Sequence, residues 1–98
     1  MLFFAQFGPH ADKPEVFRQN LEPHRAYLRD NKARILLSAS ALVDPESPAT
    51  SHIWLIEADS RDEAEGICHG DPFWQAGLRT TFELFHVKKA LPDVTATI

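Results

Sequence analysis

The first residue that could do chemistry is a histidine on the apolar side of a predicted helix. Four positions there are spaced by four, three and four residues: Phe17, Leu21, His24 and Leu28. This spacing is typical of one face of an α-helix, so His24 is expected to point inward with the apolar side chains. Histidine ordinarily changes its charge near neutral pH, and an inward-facing imidazole is therefore a candidate proton donor or acceptor.

A carboxylate is predicted to face the same interior from a second helical segment. The apolar face of that segment consists of Ala64, Ile67 and Cys68, and Asp71 follows Ala64 by seven residues. If the helical phase continues that far, Asp71 points inward as well. Burying a carboxylate is costly without a partner, and a histidine partner removes that cost while the carboxylate orients the imidazole. His24 and Asp71 are therefore candidates for general acid/base catalysis, with a purely structural buried pair as the alternative.

Small and polar residues elsewhere could complete a binding pocket. Ser38 and Ser40 alternate with alanines in a predicted strand, where they would leave room for a ligand and supply hydroxyl groups, although strand packing also explains them. His52 opens the next strand beside a Pro-rich loop, where an exposed strand end is the alternative role. His10 is expected to lie in a surface loop.

Two aromatic residues, Phe73 and Trp74, come shortly after the candidate carboxylate Asp71. They are expected to flank any pocket built around it. An apolar pocket with a few convergent polar groups suits a small, ring-shaped ligand.

Motifs of several other enzyme classes are missing from the sequence. Its five histidines show no H-x-x-x-H or H-E-x-x-H spacing, and its single cysteine forms no C-x-x-C, so no metal site is predicted. There is no G-x-S-x-G, no phosphate-binding loop and no G-x-G-x-x-G. Serine hydrolysis, NTP hydrolysis and Rossmann-type dinucleotide binding are therefore not expected. Cys68 lies on an apolar helix face and is expected to be an inert, buried thiol.

Charge and hydropathy argue against two classes of partner. The formal net charge is −4 and the basic residues are scattered, which disfavours binding to nucleic acid or to an anionic membrane surface. No apolar run reaches the roughly 18 residues that span a bilayer, and the apolar start has no basic leader. One cysteine cannot form an internal disulfide, so a cytoplasmic location is expected.

The apolar pattern predicts a single domain over residues 1–98 with the element order β-α-β-β-α-β. Strands are predicted at 2–7, 35–43, 52–58 and 80–87, and helices at 15–31 and 61–69. Pro23 is expected to kink the first helix or to start a second one, and Ser60 with Glu63 forms a capping box before residue 61. The tail from about residue 90 is expected to be loosely held. Two helices covering one face of a four-stranded antiparallel sheet give the ferredoxin-like α+β fold.

The second face of the predicted sheet is apolar as well. Strand alternation places Leu2 and Phe4 opposite the equally apolar Phe3, and it does the same for Ile53 and Leu55 in the third strand. An apolar face needs a cover, and the predicted helices already occupy the other face. A homodimer that packs sheet against sheet, as in dimeric α/β barrels, is therefore expected. A monomer with an open apolar face is the alternative.

Six short segments between residues 2 and 87 carry a family resemblance. They are His24-Arg25-Ala26-Tyr27-Leu28, Ile35-Leu36-Leu37-Ser38-Ala39-Ser40, Glu57-Ala58-Asp59-Ser60, Glu63-Ala64-Glu65, Asp71-Pro72-Phe73 and Ala76-Gly77-Leu78. In these segments the chain resembles the YCII-related family of small dimeric α/β-barrel proteins. The helix histidine and the Asp-Pro-Phe element are the more specific part of the match when they are taken together.

The resemblance implies a ferredoxin-like protomer, a homodimer and an active site that uses His24 and Asp71. Members of the family have been linked to the degradation of aromatic compounds, including removal of HCl from chlorinated hydroxyquinols. By this resemblance a chlorinated, hydroxylated ring would lose a proton to His24, and ketonisation would then let chloride leave. This chemistry would need no metal, nucleotide or flavin cofactor. Ser40, His52 or Arg79 would hold the ring oxygens. Because the fold is shared with muconolactone isomerases, an isomerase and a non-enzymatic ligand-binding module are the alternatives.

Overall fold

Four strands and three helices make up the described part of the chain. The computed structural model describes residues 1–96. Its elements in chain order are β1 (Leu2–Phe7), α1 (Pro14–Asp30), β2 (Ile35–Leu42), β3 (Ala49–Glu57), α2 (Arg61–His69), α3 (Pro72–Gln75) and β4 (Phe82–Val87). The strands form one antiparallel sheet in the order β2-β3-β1-β4. The predicted ferredoxin-like α+β fold is therefore confirmed.

Helix α1 continues through Pro23 as one element. Proline lacks an N–H and leaves the carbonyl four residues earlier without its helical partner. That carbonyl belongs to Gln19, and both Gln19 and Pro23 are exposed, so water can satisfy the freed group. The buried residue of α1 is His24, which directly follows the proline. The uninterrupted helix keeps His24 in phase with Phe17 and Leu28.

The core lies between the helices and one face of the sheet. Alternate residues of β1 are almost fully buried, namely Phe3, Ala5 and Phe7. Trp54 on the neighbouring strand packs edge-on against Phe7, with ring centroids 4.8 Å apart, a favourable aromatic geometry. Tyr27 of α1 stacks on Trp54. These rings belong to one core cluster that also contains Ala64 and Cys68 of α2, so they join the sheet to both long helices.

Within residues 1–96, the opposite face of the sheet carries apolar residues and is covered by no helix. Phe4 pairs across strands with Leu55 and with Phe85, which places the three side chains on this face. Phe85 is 46% exposed, and its ring lies 6.3 Å from that of Phe4. In one copy of the chain, this apolar strip across β3, β1 and β4 remains open to solvent.

Two glycines near the end of α2 provide a matched pair of substitutions. A Cβ at Gly66 would meet nothing within 4 Å, whereas one at Gly70 would collide with the Tyr27 hydroxyl. We expect Gly66→Ala to raise the free energy of unfolding by about 0.5–1 kcal/mol, because alanine orders a helix at lower entropic cost. Gly70→Ala should lower it by about 1–3 kcal/mol through overpacking. Urea denaturation checks both values, and equal effects of the two substitutions would contradict the steric account.

The segment after β4 forms neither helix nor strand up to residue 96, and its side chains are exposed. The predicted loose tail includes residues 97 and 98, which lie outside the described residues. Within residues 1–96, no helix combines the length and the hydrophobicity that crossing a membrane requires.

Candidate active site

A pocket of about 410 Å³ opens where α1 leaves β2 and the start of β3 uncovered. Its wall includes the four α1 side chains whose spacing predicted one helix face, and His24 is one of them. The lining residues are His10, Phe17, Leu21, His24, Arg25, Leu28, Ser38, Ala39, Ser40, His52, Phe73 and Arg79. The apolar stripe of α1 is therefore largely a pocket wall, and the small residues of β2 form part of the floor.

The predicted partners His24 and Asp71 are in direct contact. The Nδ1 atom of His24 lies 2.7 Å from Oδ1 of Asp71, and the carboxylate is fully buried. The inward direction of Asp71 has a different cause from the predicted one, since α2 ends before it. Asp71 is the N-cap of α3, and its Oδ1 also accepts a hydrogen bond from the backbone N–H of Phe73 at 3.1 Å. Capping α3 thus fixes the oxygen that holds His24.

Arg79 reaches the same carboxylate from the far side of α3. Gly77 has a φ of +76°, and Leu78 N–H donates to the carbonyl of Phe73 at 3.0 Å, the turn that closes many helix C-termini. This turn sends the chain back, so that Nη1 of Arg79 donates to Oδ2 of Asp71 at 3.1 Å. Burial lowers the pKa of Arg79 and the charge of Asp71 opposes that shift, and an arginine stays protonated in proteins. Asp71 and Arg79 therefore form a buried pair of opposite charges.

Among residues 1–96, the hydrogen bond to the His24 ring is the one at Nδ1, so Nε2 is available for proton transfer. Since Asp71 is bound by a guanidinium and a backbone N–H, it acts as a carboxylate acceptor, and Nδ1 of His24 carries the proton toward it. Nε2 is then the atom that can take up a proton. The imidazole also stacks on Phe73, with centroids 4.0 Å apart and planes 10° apart. Orientation by a carboxylate and an aromatic face suits a general base.

His10 belongs to the pocket, although the sequence placed it in a surface loop. Nε of Arg79 donates to Nε2 of His10 at 3.3 Å, and the His10 ring stacks on His52 with centroids 4.1 Å apart. The loop is drawn inward because Gly8 N–H bonds to the carbonyl of Thr81 and Ala11 N–H to that of Leu78. The turn residues Gly8 and Pro9, which separate His10 from the strand that ends at Phe7, were the available sequence signal.

The other predicted pocket residues divide into two groups. Ser40 and His52 face each other across the β2–β3 pair, with Oγ of Ser40 3.2 Å from Nδ1 of His52, and both line the pocket. Phe73 forms the wall behind His24. Trp74, predicted to flank the pocket, is not part of its lining. Successive residues of a helix point about 100° apart, and the indole packs instead against His69 and Phe82.

The stability of the fold should decrease as the pH falls from 6.5 toward 4. Burial is the largest cause that lowers the pKa of His10 to about 4, followed by His52, Arg79 and His24, while Asp71 opposes them. Burial, Arg79 and His24 also lower the pKa of His52. Near pH 6.5 these two histidines therefore bind protons in the unfolded chain but not in the folded chain, so a fall in pH favours unfolding. Urea denaturation at pH 7 and pH 5 measures this loss, and His10→Asn should reduce it. An equal loss in the variant would contradict the assignment.

Neither a metal cluster nor a reactive thiol is found among the described residues. Within residues 1–96, no three histidine, cysteine, aspartate or glutamate side chains are grouped so as to hold a metal ion. Cys68 is buried, and burial together with the charge of Asp71 raises the pKa of its thiol to about 12. A thiol with such a pKa is a poor nucleophile at neutral pH.

Sheet order, helix placement and the pocket together define a small ferredoxin-like α+β domain with an open pocket on the helix-covered face of the sheet. The chain belongs to the YCII-related domain family, whose model matches residues 1–88. A similar solved structure is 5-chloro-2-hydroxyhydroquinone dehydrochlorinase (TftG) from Burkholderia phenoliruptrix AC1100, in complex with 2,5-dihydroxybenzoquinone. The two chains share 28% identity with a TM-score of 0.75, over 90% of this chain and 94% of that one. No curated protein sequence matches the chain.

Proposed function

We propose that the chain is a cofactor-free acid/base enzyme that eliminates HCl from a chlorinated hydroxyquinol. The observation that carries this proposal is the contact of 2.7 Å between His24 and the fully buried Asp71 at the wall of an open pocket. A histidine oriented in this way can act as base in one step and as acid in the next.

The reaction needs proton transfers and loss of chloride but no external oxidant, because oxidation of the ring to a quinone is balanced by replacement of C–Cl with C–H. His24 removes the proton of a ring hydroxyl, and the electron pair moves through the ring to the carbon that bears chlorine. That carbon takes up a proton, which the His24 imidazolium can return, and the ring becomes a ketone. Loss of a second hydroxyl proton then forms a second carbonyl as the C–Cl bond breaks and chloride leaves with its electron pair. The products are a hydroxyquinone and HCl.

Pocket shape and composition support a ring-shaped substrate. A volume of about 410 Å³ lies in the range of small-molecule sites. Phe73 stacks on His24 and also on Phe17, whose centroid is 5.6 Å away, so aromatic rings line the wall beside the base. Ser40 and His52 supply polar groups on the floor that can bind ring oxygens. The name of TftG, and the quinone bound to it, also favour this substrate class.

The first experiment is an anaerobic assay of the wild-type protein with 5-chloro-2-hydroxyhydroquinone, recording chloride release and hydroxyquinone absorbance. We expect one chloride for each quinone formed, and no reaction with the ring that lacks chlorine. Rearrangement of a muconolactone without chloride release would replace the proposal by the isomerase alternative. Saturable binding without any product would replace it by the ligand-binding alternative.

We also propose that two copies of the chain pack through the open sheet faces. The apolar strip with Phe4, Leu55 and the half-exposed Phe85 is the surface that such a dimer would bury. Sedimentation of the wild type should give twice the mass of the chain, and Phe85→Glu should shift the protein toward monomer. Val43→Glu is the control, because Val43 is exposed outside the sheet. A monomeric wild type at micromolar concentration would contradict the proposal.

A further inference from the structure

We propose that His10 is a hydrogen-bond donor that binds the substrate oxygen on which negative charge develops, with Arg79 as the residue that positions it. This inference rests on the proposed function, because it names the group that would act opposite the base His24. It assigns a role to the loop residue His10 and to its hydrogen bond with Arg79. Proton transfer at His24 does not use either of them.

The hydrogen bond from Arg79 determines which nitrogen of His10 carries the proton. A guanidinium has only donors, so Nε2 of His10, 3.3 Å from Nε of Arg79, must accept. A neutral imidazole that accepts at Nε2 carries its proton on Nδ1. Protonating Nε2 as well would set two N–H groups against each other. Within residues 1–96 the hydrogen bond to the His10 ring is the one at Nε2, so the Nδ1–H remains available to a ligand.

Neighbouring rings hold the imidazole in place at the pocket wall. His10 stacks on His52 with planes 18° apart, and it meets Phe73 edge-on with centroids 5.2 Å apart. His24 stacks on the same Phe73 at 4.0 Å. Both imidazoles therefore line one pocket around a shared phenyl ring. A substrate ring that places one hydroxyl at His24 can present another oxygen to His10.

Arg79 is itself poorly placed to bind the substrate. It is 3% exposed, Nη1 is bound to Asp71 and Nε is bound to His10. Its guanidinium carbon lies 4.5 Å over the ring of Phe7, which holds it in the core. Arg79 therefore acts through its two neighbours, because it fixes the carboxylate that orients His24 and the tautomer of His10.

The chemistry of the reaction calls for such a donor. When a ring hydroxyl loses its proton, negative charge appears on oxygen before chloride leaves. A fixed N–H aimed at that oxygen stabilises the charge without being rearranged. As long as the His10 imidazole is neutral, it keeps the same N–H donor at Nδ1. Burial and the nearby Arg79, His52 and His24 oppose protonation of His10, and Asp71 alone favours it.

Two substitutions separate the donor from the acceptor of the His10 ring. The amide nitrogen of His10→Asn can occupy the position of Nδ1 and keep the donor. The amide of His10→Gln reaches the position of Nε2 and keeps the contact with Arg79 only. The measurement is an absorbance titration of each protein with 2,5-dihydroxybenzoquinone, whose colour reports ionisation of its hydroxyl groups. The titration needs no turnover.

We expect His10→Gln to raise the Kd of the quinone about 10- to 100-fold, the usual effect of losing one hydrogen bond to a charged group. His10→Asn should stay within about fivefold of the wild type. His69→Gln is the control, because His69 is exposed and lies outside the pocket lining. Thermal unfolding of each variant establishes that it is folded, and His10→Phe, which keeps an aromatic ring, provides a second test if His10→Gln fails to fold.

The outcomes distinguish this inference from the proposed reaction. A Kd of His10→Gln or of folded His10→Phe within twofold of the wild type would overturn the assignment of His10, even if the wild type releases chloride. Failure of the wild type to bind the quinone would overturn it as well. Weakened binding by His10→Gln in a protein that releases no chloride would keep His10 as the oxygen-binding donor and remove the proposed reaction.

Discussion

Replacing His24 by asparagine is expected to lower kcat for chloride release about 10²- to 10⁴-fold, the usual contribution of a general acid/base group. The asparagine amide can occupy the position of Nδ1 and keep the hydrogen bond to Asp71, which is 2.7 Å long in the wild type. What the substitution removes is Nε2, the atom that would accept the proton. The loss should therefore appear mainly in kcat, with a small change in KM.

His86→Asn is the matched control for this measurement, because His86 is exposed and lies outside the pocket lining. It should retain the wild-type kcat. A folded His24→Asn protein with kcat within threefold of the wild type would contradict the role of His24 as the base. A large loss of thermal stability in His24→Asn, together with no activity in the wild type, would favour a purely structural pair.

The sequence predicted the fold and the inward position of His24, because both depend on local periodicity. The spacing of Phe17 and Leu28 around His24 holds over one continuous helix, which Pro23 leaves intact. The pairing with Asp71 was also expected, yet for a reason that the structure replaces. Asp71 points inward as the cap of α3, and α2 ends before it. A capping aspartate before proline is itself a local signal, so the sequence indicates the cap but not its contact with His24, which is 47 positions away.

What the sequence could not provide depends on loops and on distant backbone contacts. His10 enters the pocket because its loop is bonded to residues 78 and 81, which are about 70 positions away. Arg79 is buried because the positive φ of Gly77 reverses the chain after α3. Trp74 lies outside the pocket because α3 is a single short helix that turns only Phe73 toward it. None of these arrangements leaves a repeat in the sequence.

Asp71→Asn is expected to cost both stability and activity. Asp71 is fully buried and Arg79 is 3% exposed, so removing the carboxylate charge leaves a guanidinium in the core without its counter-ion. Breaking a buried ion pair in this way typically costs about 3–5 kcal/mol. The new amide also carries an N–H donor, which can face the N–H donor at Nδ1 of His24 where the carboxylate offered an acceptor. We expect urea denaturation to show a loss of this size, and chloride release to fall at least as far as in His24→Asn.

Removing the charges of both Asp71 and Arg79 separates the effect on stability from the effect on activity. In Asp71→Asn/Arg79→Met the buried guanidinium is gone, and methionine can fill its volume against Phe7. Much of the stability lost in Asp71→Asn should therefore return, because an apolar replacement of a buried ion pair is often nearly neutral. Chloride release should not return, since His24 still lacks its carboxylate and His10 lacks the donor that fixes its tautomer. Recovery of kcat together with stability would mean that the ion pair serves folding alone.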